Sequence, residues 1–164
     1  MKERYKLIGW ALAGALVIPV ASNAAELPKR GSYSGVFGWH FIGEADGVPG
    51  SMVWGGVATG TFRNEAGSGF LHAALVKCSS AGTFGKDWAP RDGGECVATD
   101  SDGDKAFLTW KCTDCPTKGE FQWLGGTGKY SGIKGRNTYQ QTNAAVPMGA
   151  PAGWSVWKGE WLLP

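Results

Sequence analysis

Three stretches of this 164-residue chain hold residues at spacings that could do chemistry. Asp100-Ser101-Asp102-Gly103-Asp104 sets carboxylates at alternate positions, as the opening of an EF-hand calcium loop does. The match fails further on, because Lys105 replaces the loop glycine and Lys111 stands where a bidentate glutamate belongs. A hairpin turn with charged flanks fits better, since Asp102-Gly103 is a dipeptide that type I′ turns favour. Cys112-Thr113-Asp114-Cys115 could be a redox pair or half of a zinc site. Redox chemistry needs the pair at a helix N-terminus in a βαβ setting, and zinc needs four ligands at finger-like spacing. The surroundings are strand-like and Cys78 and Cys96 form no second CxxC, so a structural role is expected, with no metal. His40 and His72 are the only histidines. Each is read mid-strand among apolar neighbours, where a hydrogen-bonded core histidine is the ordinary outcome, although inside a barrel it would be the natural proton-transfer group.

The third stretch is Gly125-Gly126-Thr127-Gly128-Lys129-Tyr130-Ser131-Gly132-Ile133-Lys134-Gly135, with five glycines in eleven residues. A phosphate-binding Walker loop would need glycine at Trp123 and Ser or Thr at Tyr130, and no βαβ unit supports a dinucleotide fingerprint. The spacing suits a sharp corner where the backbone takes positive φ and another strand passes close by.

The elements that must carry these groups read as strands. Ser32–Gly43 alternates, with Phe37, Trp39 and Phe41 on one face and Val36, Gly38 and His40 on the other. Met52–Phe62 follows, with glycines that bend it, and then Phe70–Cys78. Ser79–Gly94 is the longest irregular stretch and a candidate lid over a barrel mouth. Glu95–Ser101, Asp104–Cys112, Glu120–Leu124, Gly135–Thr142 and Trp154–Leu163 complete eight strands. The expected fold is all-β: an eight-stranded antiparallel up-and-down barrel over residues 26–164, closed so that no edge is left bare.

Residues 1–25 are expected to be a signal peptide. They join a basic head, an apolar run from Leu7 to Val20 and an exit of small residues at Ala24-Ala25. Pro19, Ser22 and Asn23 interrupt the run, so no stable membrane span is expected after processing. Without this segment the formal charge falls from +2 to about zero and no basic cluster remains, which argues against nucleic acid. Localisation is expected to be periplasmic or secreted. Cys78, Cys96, Cys112 and Cys115 then form two disulfides by default, and three pairings are possible. If strands three and four meet across the Ser79–Gly94 stretch, Cys78 pairs with Cys96, and Cys112 and Cys115 close a local loop.

Eight tryptophans remain outside the signal segment. Some should pack and some could line a cup for a flat or hydrophobic ligand. Trp54, Phe70, Trp110, Trp123 and Trp157 are the candidate ligand-binding residues.

The glycine-rich corner, together with the Asp100–Asp104 hairpin, resembles that of bacterial relatives of the allene oxide cyclase and dirigent barrels, small calycin-type barrels. The resemblance covers roughly the second half of the chain. The leading expectation is an exported, disulfide-stapled barrel that holds a small hydrophobic or aromatic molecule in its lumen. The resemblance implies one version of it, a cofactor-free cyclase, isomerase or stereochemical guide that enforces a reactive conformer. On that reading His72, His40, Glu160, Arg136 and Tyr139 are the polar groups available to move protons or stabilise charge. The rival expectation is a non-catalytic periplasmic accessory protein that docks on a larger envelope assembly. A hollow lumen would favour the first and a filled lumen the second.

Overall fold

Alternating aromatic and small residues along short segments can be buried on one side when the sheet curls on itself, and in this chain it curls into a closed ring. The computed structural model describes residues 27–85, 90–144 and 151–164. Residues 1–25, expected to be a signal peptide, and Trp88 of the Ser79–Gly94 stretch lie outside the described residues. The strands are β1 (Arg30–Val48), β2 (Ser51–Asn64), β3 (Ala74–Phe84), β4 (Pro90–Thr99), β5 (Lys105–Asp114), β6 (Lys118–Gly126), β7 (Arg136–Asn143) and β8 (Ala152–Leu162). Each pairs antiparallel with the next, and β8 closes on β1 from Arg30↔Leu162 to His40↔Ala152. The all-β, eight-stranded up-and-down barrel is therefore observed. Among the described residues no helix is long and apolar enough to cross a membrane.

Up-and-down winding sorts the connections between two ends. The β2–β3, β4–β5 and β6–β7 turns share one end with the first and last described residues, where Leu163 N donates to Lys29 O at 2.7 Å and Trp161 Nε1 to Pro28 O at 3.0 Å. The other four connections surround the opposite end, the mouth.

The first end is plugged. Asn64, Phe70 and Leu71 are buried there, and the segment between β2 and β3 turns inward rather than continuing a strand. Phe70–Ala73, expected to open the third strand, are turn residues, and Leu71 and Ala73 take φ of 50° and 59°. The reason is that Phe70 and Leu71 are consecutive and both buried, which an extended strand with alternating faces cannot achieve in a one-layer wall. Asn64 holds the turn, its Nδ2 donating to Phe70 O at 3.0 Å and its Oδ1 accepting from Ala66 N at 2.9 Å. The Phe70 ring then stacks on Trp161 at 4.4 Å and meets Trp123 and Tyr130 edge-on.

The glycine corner closes this end from the other side. A single 3-10 turn, Gly128–Tyr130, drives Tyr130 into the core while Lys129 stays outside. Lys129 Nζ lies 2.7 Å from the buried Asp100 carboxylate and also pairs with Asp102, while its backbone N–H donates to Asp104 Oδ2 at 3.1 Å. Asp100 Oδ1 accepts the amides of Asp102 and Asp104. The carboxylates of this hairpin are thus occupied by Lys129 and backbone amides, a structural clamp between two turns.

Ser79–Gly94 is largely a hairpin rather than a loose lid. Ladder pairing runs from Ser79↔Glu95 to Phe84↔Pro90. An inward glycine in this hairpin is what a neighbouring ring needs to lie against the wall, and Gly82 meets Trp54 in this way. The disulfides are Cys78–Cys96, a directly opposed cross-strand pair, and Cys112–Cys115 at the mouth.

Candidate functional site: a hollow half-barrel

Inward positions of the strands decide what the lumen holds. Midway along it, Phe37, Phe62, Phe121 and Trp157 form a floor of rings with centroids 5.0–5.2 Å apart about Trp157. Below the floor the plug fills the space. Above it lies a cavity of about 370 Å³, open at the mouth. That volume suits a small organic ligand, since such sites run from roughly 300 to 1,000 Å³.

The cavity is hollow because its largest side chains lie against the wall. A Cβ added to Gly82 would fall 2.7 Å from the Trp54 ring, and one on Gly153 would fall 2.9 Å from the Trp39 ring. A Cβ on Gly119 would strike Tyr139. Each aromatic occupies volume next to a strand glycine that a side chain would otherwise fill. Phe41 and Trp54 meet edge-on at 5.7 Å on one side, Trp110 and Tyr139 at 5.9 Å on another. Cys78 and Cys96 add an apolar disulfide to the lining.

The polar groups are few: Asp92 from β4, Tyr139, Gln141 and Asn143 from β7, and Ser155 from β8 among them. Burial raises the Asp92 carboxyl above its ordinary value of 3.8. Burial, and then the Asp92 charge, push the Tyr139 phenol well above 10, so it stays a neutral hydroxyl. Asp92 Oδ1 lies 3.4 Å from Cys115 Sγ. Asp92, Cys112 and Cys115 cluster closely enough to suggest metal ligands, but the two sulfurs are joined to each other and hold no thiolate to offer.

The residues singled out by sequence distribute unevenly. Trp54, Trp110, Trp157 and Tyr139 line the cavity together. Phe70 and Trp123 are buried in the plugged end beneath the floor. His72 belongs to the turn there, with Nδ1 covered and unpartnered among the described residues. His40, Arg136 and Glu160 are exposed on the outer wall, Arg136 and Glu160 in one exterior groove by β7 and β8. Neither histidine reaches the lumen, for different reasons. His40 alternates with Trp39 and Phe41, which face inward, and His72 follows the consecutive Phe70-Leu71 pair that forms the plug.

Sequence reasoning missed Asp92, Phe37, Phe41 and Trp39 as lining. The three aromatics were legible as one face of the first strand. Asp92 was hidden because its stretch reads as loop, and only the pairing Gly82↔Asp92 shows which way it points.

No protein family matches this chain and no curated protein does. Among solved structures, a pterocarpan synthase dirigent protein matches at 14% identity, covering 94% of this chain and 100% of that one, with a TM-score of 0.48.

Proposed function

We propose that this protein is an exported barrel that binds a small hydrophobic or aromatic molecule in the half-lumen above the Phe37–Phe121–Trp157 floor. One observation carries the reading: the barrel is solid at one end and hollow at the other, and the hollow is walled by aromatic rings and closed off from the plugged end. A barrel that needed only stability would fill both halves. Two disulfides fit an oxidising compartment, which supports export.

The resemblance of the glycine corner to allene oxide cyclase and dirigent barrels supports a finer version, in which the cavity guides a reactive conformer without a cofactor. Tyr139 is then the one group of the original five placed to contact the bound molecule, as a neutral hydroxyl that donates a hydrogen bond. The rival reading, an accessory protein docking on an envelope assembly, draws on the outer face of the β1–β2 hairpin, where Ile42, Val48 and Val53 are exposed. The hollow lumen favours the first.

Tryptophan fluorescence titration and thermal shift against panels of phenolic, fatty-acid-derived and aromatic amine compounds test it. Saturable quenching with a raised Tm is expected for at least one class, weakened in Trp54→Ala. No shift with any class, in a folded preparation, sinks the ligand reading.

A further inference from the structure

The electrostatics of the hollow half are one-sided. Among its described lining residues Asp92 alone carries a formal charge, and no lysine, arginine or histidine joins it. The ion pairs of the described residues all lie elsewhere, on Lys111, Lys118 and Lys129. A half-buried carboxylate without a counter-charge is costly to keep.

The register adds a second observation. Trp54, Gly82 and Asp92 stand in one row across β2, β3 and β4, since Trp54↔Gly82 and Gly82↔Asp92 are direct partners. Trp54 packs over Gly82, and Trp110 packs by Gly94, the next inward position after Asp92 on β4. Both indoles line the same cavity as the carboxylate. A guest resting on an indole face meets the negative side of the ring quadrupole, so there rings and carboxylate favour the same sign of guest.

From this we infer that the cavity selects a cation: a small molecule whose ammonium or quaternary ammonium head lies by Asp92 between Trp54 and Trp110, its apolar remainder on the floor. The inference rests on the ligand-binding reading above and narrows it. It ranks fatty-acid and other carboxylate guests last, because an anion would meet Asp92 with no cation among the described lining residues to offset it.

Isothermal titration of the purified protein with phenyltrimethylammonium, its neutral isostere tert-butylbenzene and the anion 4-tert-butylbenzoate separates the possibilities. The ammonium is expected to bind about tenfold tighter than the isostere. Asp92→Asn should remove the larger part of that preference while leaving the isostere's affinity in place, and Glu120→Gln on the outer wall should change neither. If the isostere or the benzoate binds as well as the ammonium, the inference falls while the ligand-binding reading stands. If the preference survives Asp92→Asn unchanged, Asp92 is not its source and the inference falls likewise. Failure of all three to bind overturns the inference, and the wider compound panels then decide the ligand reading separately.

Discussion

The two halves of this barrel use the same residue type in opposite ways. Below the floor, aromatic rings interlock: Phe70 stacks on Trp161 and abuts Trp123, Tyr130 and Tyr33. Above it, Trp39, Trp54 and Tyr139 pack against glycines of the wall and leave the centre open. What separates the halves is therefore not hydrophobicity. It is whether a turn such as Phe70–Ala73 folds inward to fill the axis, since Trp161 and Phe62 also lie against wall glycines, Gly31 and Gly35.

If that contrast holds, substitutions of similar size should differ by half. Phe70→Ala should cost about 3–5 kcal/mol of unfolding free energy by urea denaturation, the ordinary cost of a large void in a packed core. Trp54→Ala at the mouth should cost under about 2 kcal/mol, because that ring already borders open space. Equal costs would break the comparison outright.

Cross-links provide the next test. Replacing Cys78 and Cys96 together by serine should remove roughly 3 kcal/mol in the chain-entropy model, since the bridge spans a sequence separation of 18. Replacing Cys112 and Cys115, separated by 3, should remove about half of that by the same measurement.

The two carboxylates sharpen the contrast through pH. Burial alone would raise Asp100, but the Lys129 ammonium, the Tyr130 hydroxyl and the Asp102 amide outweigh it and hold the carboxyl below 3.8. Its stabilisation is thus present above pH 3.8 and lost as pH falls through the lowered value. Asp92 is raised by burial, so its contribution is present below pH 3.8 and lost as pH rises through the raised value. Asp100→Asn should cost about 2 kcal/mol at neutral pH and flatten the acid limb of a Tm-versus-pH curve. Asp92→Asn should raise the neutral Tm slightly and leave the acid limb steep. The same sign for both variants would refute the electrostatic distinction between the ends.

The last test is at the wall. Gly82→Ala should press on the Arg91 carbonyl, 2.6 Å from the added Cβ, and displace the Trp54 ring towards the axis, at a cost of about 1–3 kcal/mol in Tm-derived stability. Its larger consequence should be weaker ligand binding in the fluorescence titration. Unchanged affinity would mean that the ring's position on the wall does not set the lumen's capacity.

Much of this architecture was legible in the residues. Alternation of Phe37, Trp39 and Phe41 gave the inner face of β1, Asp102-Gly103 gave a tight turn, and the five-glycine corner gave a place of positive φ, as Gly125, Gly128, Gly132 and Gly135 show. Strand count and closure followed from turn spacing. The division into halves did not, because it depends on register and on one segment leaving the ladder. Phe70 to Val76 satisfies a period-2 pattern on paper, and only the simultaneous burial of Phe70 and Leu71 rules out a strand through them. The candidate site was half legible for the same reason. Tryptophans announce themselves by type, but nothing local separates Trp110, in the cavity, from Trp123, beneath it.

Lys29 Nζ reaches Pro164 O at 2.6 Å on the plugged side, so both described extremities of the polypeptide leave from the face opposite the mouth. A tether, tag or surface linkage joined at either extremity would hold the molecule by its base, with the aperture turned away from the support and clear for guests to enter.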